Sequence, residues 1–209
     1  MTDNQALFDA ICRGDRKSVV ALVQSAVDAG ADVAVLLDQT MIPAMREVGA
    51  RFSRNEIYVP EMLVAARAMQ GGIDIIEPIL AGSGREPVAK VCIGSVKGDL
   101  HDIGKNLVVM MLKGAGFAVQ DLGVDVEIES FDAAVAAGAQ VVCLSALLTT
   151  TKGEMRAVIE HFRGRDAVKV VVGGAVITQA FADEIGAHGF GRDAADAVRA
   201  VSQCLGLAA

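Results

Sequence analysis

What most constrains this 209-residue chain is a change of texture near residue 85. Before it, apolar residues fall at helical spacing and strand signals are nearly absent: Leu7 and Ile11, then Val19, Val20, Leu22, Val23 and Val27. After it, short β-branched runs alternate with amphipathic stretches, which is how repeated βα units around a mostly parallel sheet read in sequence. The first part predicts four helices near 3–13, 15–29, 32–52 and 59–80, with breaks at Gly14, Gly30 and Ser53-Arg54-Asn55. Asp15 and Asp32 are placed as N-caps. Pro60 suits the first turn of the fourth helix, whereas Pro43 inside the third would cost about 3 kcal/mol and predicts a kink or a split.

Segment 81–87, AGSGREP, has a linker's composition and sets domain limits of 1–85 and 86–209. Beyond it, strands are expected at Val88–Ile93, Phe117–Asp121, Val141–Leu144, Lys169–Val172 and Gly189–Phe190. Helices are expected at 103–115, 127–137, 152–163, 178–186 and 193–205. Five strands with five helices give an α/β domain with a doubly wound parallel sheet, a fold that binds ligands beyond the carboxyl ends of its strands.

Composition narrows the function. A hydrophobic content of 53% supports a core without staples, and the four cysteines show neither disulfide nor zinc spacing. Cys92 and Cys143 lie inside apolar runs, where a thiol packs as a small hydrophobe. The amino terminus lacks the pattern of a targeting peptide, and no run approaches the ~20 apolar residues of a membrane span. The expectation is a reducing, cytoplasmic setting without membrane contact. A net charge of −7, with one Tyr and no Trp, also argues against nucleic acid as a partner.

Three unusual segments fall at strand carboxyl ends: GSVKGDLHDIGKN at 94–106, SALLTTT at 145–151 and GGAVIT at 173–178. In the first, Asp99 lies two residues before His101 on a strand-to-helix loop, so its carboxylate can hold one imidazole nitrogen while the other faces a ligand. Gly98 and Gly104 allow close backbone approach on either side.

The run Asp99-Leu100-His101-Asp102-Ile103-Gly104 resembles the Asp-x-His-x-x-Gly signature of cobalamin-binding domains. The Ser-x-Leu motif of that family follows as Ser145-Ala146-Leu147, and its Gly-Gly as Gly173-Gly174, in the same order. The amino-terminal half, with Tyr58-Val59-Pro60-Glu61-Met62-Leu63, is similar to the helical cap preceding that domain in methionine synthase and in the corrinoid proteins of methanol, methylamine and aryl-ether methyltransferase systems. The resemblance implies a four-helix cap followed by a flavodoxin-like domain that holds cobalamin (methylcobalamin or another corrinoid) with its own base displaced. It makes His101 the axial cobalt ligand, Asp99 its hydrogen-bond partner and Thr151 the end of a proton relay, where the family has a serine. It places Ser145 and Thr149 on the displaced base, Gly94, Ser145, Gly173 and Gly174 along a slot for the nucleotide tail, and Ala194 near that tail. Gly98, Leu100, Asp102, Ile103, Gly104 and Leu147 complete the cofactor-binding set. Tyr58, Met62 and Leu63 are candidates to cover the upper corrin face.

The implied role is a non-catalytic methyl carrier between a substrate-specific methyltransferase and a second methyltransferase whose acceptor is tetrahydrofolate or a thiol, with a reductive activation protein as a further partner. A cobalamin-dependent sensor or regulator would need a basic DNA-binding segment, for which this acidic chain has no spare length. A mutase small subunit generally lacks the helical cap. A flavin- or nucleotide-binding domain would leave Asp99, His101, Ser145 and Thr149 unexplained. Met41, Met45, Met62 and Met69 read most simply as core, His161 as solvated surface, and His188 as carrying no chemistry.

Overall fold

A computed structural model describes residues 4–82 and 87–207, so most of the expected linker and the 85/86 limit lie outside the described residues. The chain divides into two compact units, Met1–Pro87 with Lys113–Gly116, and Val88–Leu112 with Phe117–Ala209.

The first unit is helical: α1 (Asn4–Arg13), α2 (Arg16–Asp28), α3 (Val33–Leu36), α4 (Ile42–Ser53) and α5 (Val59–Gly82). Asp15 caps α2 by accepting the Ser18 N–H, and Asp32 caps α3 by accepting from Ala34 and Val35. The expected third helix is divided. A π-helical turn, Leu37–Met41, separates α3 from α4, and the Ile42 N–H reaches back five residues to the Leu37 carbonyl. Pro43 follows in the first turn of α4, where its missing N–H costs least. At the head of α5, Glu61 accepts the Tyr58 N–H and Pro60 sits in the first turn; a second proline, Pro78, stands on an exposed turn inside the helix.

Leu7, Ile11, Val19, Val23, Met41, Met45, Met62 and Met69 form the core of this unit. Gly72 lets α5 lie close to its neighbours, since a Cβ there would come within 2.7 Å of Met41 Cε and 3.1 Å of Val19. Met62 is wholly buried, whereas Tyr58 is exposed and Leu63 half-buried.

The second unit is an all-parallel sheet of β1 (Lys90–Ser95), β2 (Ala118–Asp121), β3 (Val141–Ser145), β4 (Lys169–Gly173) and β5 (Gly189–Gly191), in the order β2-β1-β3-β4-β5. Between them run α6 (Ile103–Gly114), α7 (Ile128–Ala136), α8 (Lys152–Phe162), α9 (Gln179–Ile185) and α10 (Ala194–Cys204). This is the expected doubly wound, flavodoxin-like architecture, and its order reverses between β1 and β3. Thr178 and Asp193 cap α9 and α10, and Gly186 ends α9 in the left-handed conformation.

Strand β1 differs from expectation. It begins two residues later and runs through Ser95, because Val88 is exposed while Val91 to Ser95 are buried on both faces. Pairing then places Ser95 beside Ser145, Ser145 beside Gly173 and Gly173 beside Gly191, so four neighbouring strands end in small residues at one level. Among the described residues no helix is long and apolar enough to cross a membrane.

Candidate functional site

Beyond Ser95 the chain turns sharply at Gly98 (φ +77°), and the Asp99 N–H bonds the Val96 carbonyl at 3.0 Å. The turn drives the Asp99 carboxylate inward until it is fully buried. There it accepts four well-formed hydrogen bonds. One oxygen takes the His101 N–H at 3.1 Å and bonds His101 Nδ1 at 2.8 Å; the other takes the Leu147 N–H and the Thr151 hydroxyl, each at 2.7 Å. Burial by itself would push this carboxyl up, but these donors outweigh it and hold it well below the usual carboxylate range.

An ionised carboxylate only accepts, so the proton on the shared bond belongs to His101 Nδ1, and Nε2 is the ring nitrogen left to meet a ligand. His101 is half-exposed, and no hydrogen bond to Nε2 occurs among the described residues. Around it stand apolar side chains that a folded chain ordinarily hides: Leu100 is 69% exposed, Ile103 86%, with Leu147 and Leu148 also open. Among the described residues a Cβ on Gly104 would meet nothing within 4 Å, so their packing does not demand glycine there. The site thus presents one imidazole nitrogen amid an apolar surface. Among the described residues no group of three or more His, Cys, Asp or Glu could hold a metal ion, so an ion bound by His101 brings its remaining ligands with it. A metal inside a large, partly apolar macrocycle fits that donor set.

The other expected residues divide. Leu147 and Thr151 bond Asp99 directly, and Ser145 ends β3 beside Ser95. Asp102 instead accepts from the Asn106 side chain at 3.0 Å, tying down the first turn of α6. Thr149 is exposed and Ala194 begins α10 after β5; among the described residues neither bonds to Asp99.

Three of the glycines also have a packing reason. The space of a Gly94 side chain is taken by Val126 and Phe131, at 2.9 and 3.0 Å, so the core by itself calls for glycine there. A Cβ on Gly173 would lie 2.9 Å from the Gly191 carbonyl oxygen, and one on Gly174 (φ +133°) 2.0 Å from that of Ala146. Backbone approach between strand ends already requires both.

His161 is not freely solvated. It contacts Asp132 at 3.2 Å in a cluster with Arg165 and lies edge-on to Phe162. His188 has a structural part, since its Nδ1 accepts the Val170 N–H, and burial pushes its pKa down.

Sequence reasoning missed Ser95, whose buried hydroxyl donates to the His101 carbonyl at 2.6 Å. It also missed Lys105, whose buried ammonium bonds both Asp121 oxygens at 2.6 and 2.7 Å and Asn106 at 2.8 Å. A lysine two residues into a predicted amphipathic helix was a visible signal for the second. For the first there was none, because its partner is a backbone carbonyl.

Comparison with known proteins adds three kinds of likeness. Residues 89–199 match a family model described as "B12 binding domain", and residues 4–77 match a second model of that description. A corrinoid protein of Desulfitobacterium hafniense (strain Y51) is 39% identical over 207 residues, covering 96% of each chain. Dimethylamine corrinoid protein 2 of Methanosarcina acetivorans is 39% identical over 208 residues, covering 96% of this chain and 95% of the other. Among solved structures, the methanol:cobalamin methyltransferase complex of Methanosarcina barkeri superposes with a TM-score of 0.83 at 30% identity, covering 96% of this chain and 79% of that one. A cobalamin-binding protein from Desulfitobacterium hafniense DCB-2 gives 0.81 at 28% identity, covering 98% and 99%.

Proposed function

Since the chain belongs to the B12-binding corrinoid proteins of methyltransferase systems, with a cobalamin-type corrinoid as cofactor, we propose that it is a methyl carrier working between two methyltransferases, with His101 as its cobalt ligand. When bound, the corrinoid supplies a cobalt centre that accepts and releases a methyl group.

The observation that carries the proposal is the fixed orientation of His101. Its Nδ1–H donates to a buried carboxylate, which leaves Nε2 as the nitrogen that faces outward to a ligand. Asp99 and Thr151 complete the relay: a proton taken up at Nε2 is balanced through the ring by the Asp99 charge, and the Thr151 hydroxyl keeps the second carboxylate oxygen satisfied. Leu100, Ile103 and Leu147 offer apolar surface to the macrocycle, with Gly98, Asp102 and Gly104 setting the backbone between them. The level row of Ser145, Gly173 and neighbouring small residues, with Gly174, Thr149 and Ala194 beyond it, keeps the sheet end thin enough for a nucleotide tail.

The partners follow from the same reading: a methyltransferase specific for the methyl donor, a second that passes the methyl to tetrahydrofolate or a thiol, and a reductive activation protein. The test is the absorption spectrum of protein reconstituted with cobalamin and desalted, beside His101→Ala. Wild type retains cobalamin with a histidine-ligated spectrum, and the variant loses that spectrum. Identical spectra, or loss of cobalamin by the wild type on desalting, would refute the assignment.

A further inference from the structure

The His101 loop is gripped by a second loop that the proposed mechanism does not use. Residues 123–127 connect β2 to α7 and run beside 95–99: the Ser95 N–H bonds the Gly123 carbonyl, the Val126 N–H bonds the Ser95 carbonyl, and Val96 and Val126 form an isolated parallel bridge. At the centre stands Asp125, one of two non-glycine residues with positive φ (+53°) among the described residues. Aspartate tolerates that conformation better than most residues, yet such backbone persists only where neighbouring structure fixes it. Here it lets one residue hold two consecutive links of the opposing loop. The Asp125 N–H donates to the Asp99 carbonyl at 3.0 Å, and the Asp125 carboxylate accepts the Gly98 N–H at 2.7 Å.

Resting on the assignment of His101 given above, we infer that Asp125 is a positioning residue for that histidine: by clamping Gly98 and Asp99 it fixes the carboxylate that sets the imidazole's tautomer and direction. The argument is geometric. Asp99 carries out its role through four donors spread over the loops after β1 and β3, so a small rotation about the flexible Gly98 would break several of these bonds together. The 2.7 Å hydrogen bond from Gly98 to the Asp125 side-chain oxygen restrains that rotation. The Lys97–Glu127 ion pair also joins the two loops, but both side chains are more than half exposed and it restrains little.

The experiment reads the imidazole directly. Full-length protein without cobalamin, 15N-labelled at histidine, is compared by NMR near pH 8, with His101 assigned through His101→Ala. Asp125→Gly keeps the backbone donor, relaxes the positive φ and deletes only the acceptor. Asp125→Ala deletes the same acceptor on a less permissive backbone, and Asp125→Asn retains an acceptor oxygen. Thermal unfolding of each variant ensures that spectra are taken well below its midpoint. The expected result is a fall of about tenfold in the Nδ1–H to Nε2–H ratio of His101 in Asp125→Gly and Asp125→Ala, the effect of weakening one hydrogen bond to a charged group. Asp125→Asn and the control Lys97→Ala keep the wild-type ratio. A wild-type ratio in folded Asp125→Gly, or a shift in Asp125→Asn as large as in Asp125→Gly, would overturn the inference. Because the measurement contains no corrinoid, its failure is distinct from failure of the cobalamin test.

Discussion

Asp99 and Gly104 show how differently two residues of one loop are constrained. Asp99 is surrounded by donors, so Asp99→Asn must turn its amide NH2 toward either the His101 side or the Leu147 and Thr151 side, leaving donors opposed. The expected cost is about 1–3 kcal/mol in urea unfolding at neutral pH. Its pH dependence has a definite sign. A carboxyl held below its unfolded value of about 3.9 contributes stability that is complete above that value and lost as pH falls through the folded one, so the wild-type advantage shrinks below about pH 4. Around Gly104, a Cβ would meet nothing within 4 Å among the described residues. Gly104→Ala removes a helix glycine and should stabilise the protein by about 0.5–1 kcal/mol, while its methyl stands on the surface proposed for the corrin. A raised Tm together with faster cobalamin loss on desalting is the expected pair of results; a raised Tm with unchanged retention would separate Gly104 from the cofactor surface.

At the scale of elements, α6 is fastened at its first turn by Lys105, which reaches Asp121 at the carboxyl end of β2, and by Asn106, which bonds Asp102. The two partners of that ion pair are unequal, because the Lys105 side chain is 2% exposed and that of Asp121 37%. Removing Asp121 strands a buried cation, whereas removing Lys105 leaves a carboxylate that water can reach. Asp121→Ala is therefore expected to cost up to about 3 kcal/mol and Lys105→Met clearly less, an order that paired denaturation curves would reverse if burial were not the deciding factor. This fastening also marks where sequence reading stops. The three strand-end motifs were legible because each is a contiguous run whose residue types are unusual for a loop. Lys105–Asp121, Ser95 to His101 and Asp125 to Gly98 were not, because their partners are 16, 6 and 27 residues apart and two of the three bonds end on backbone atoms. The extent of β1 was misjudged for a related reason: in a sheet covered on both faces, apolar runs show no alternation to mark their ends.

At the scale of the whole molecule, the texture change near residue 85 foretold a helical part and a sheet part, and the order β2-β1-β3-β4-β5 explains why the motifs meet: β1 and β3 are far apart in sequence yet adjacent at the reversal point. The same two central strands carry buried thiols that report on the sheet unit. Cys92 lies in β1 and Cys143 in β3, and the register pairs Cys143 with Ile93, which puts the thiols on opposite faces. Burial pushes the Cys92 thiol up to about 12 and raises that of Cys143 as well, so near pH 8 only ~1 in 10,000 Cys92 side chains is a thiolate even before access is considered. Alkylation of the native protein should therefore reach the half-buried Cys12 and Cys204 first. In a urea series read by mass spectrometry, Cys92 and Cys143 should become reactive together, at one midpoint, because losing either helix layer exposes strands that share a hydrogen-bonded ladder. If Cys143 were labelled at distinctly lower urea than Cys92, one layer of helices would be detaching alone, and the sheet that positions His101 would be held on its other face only.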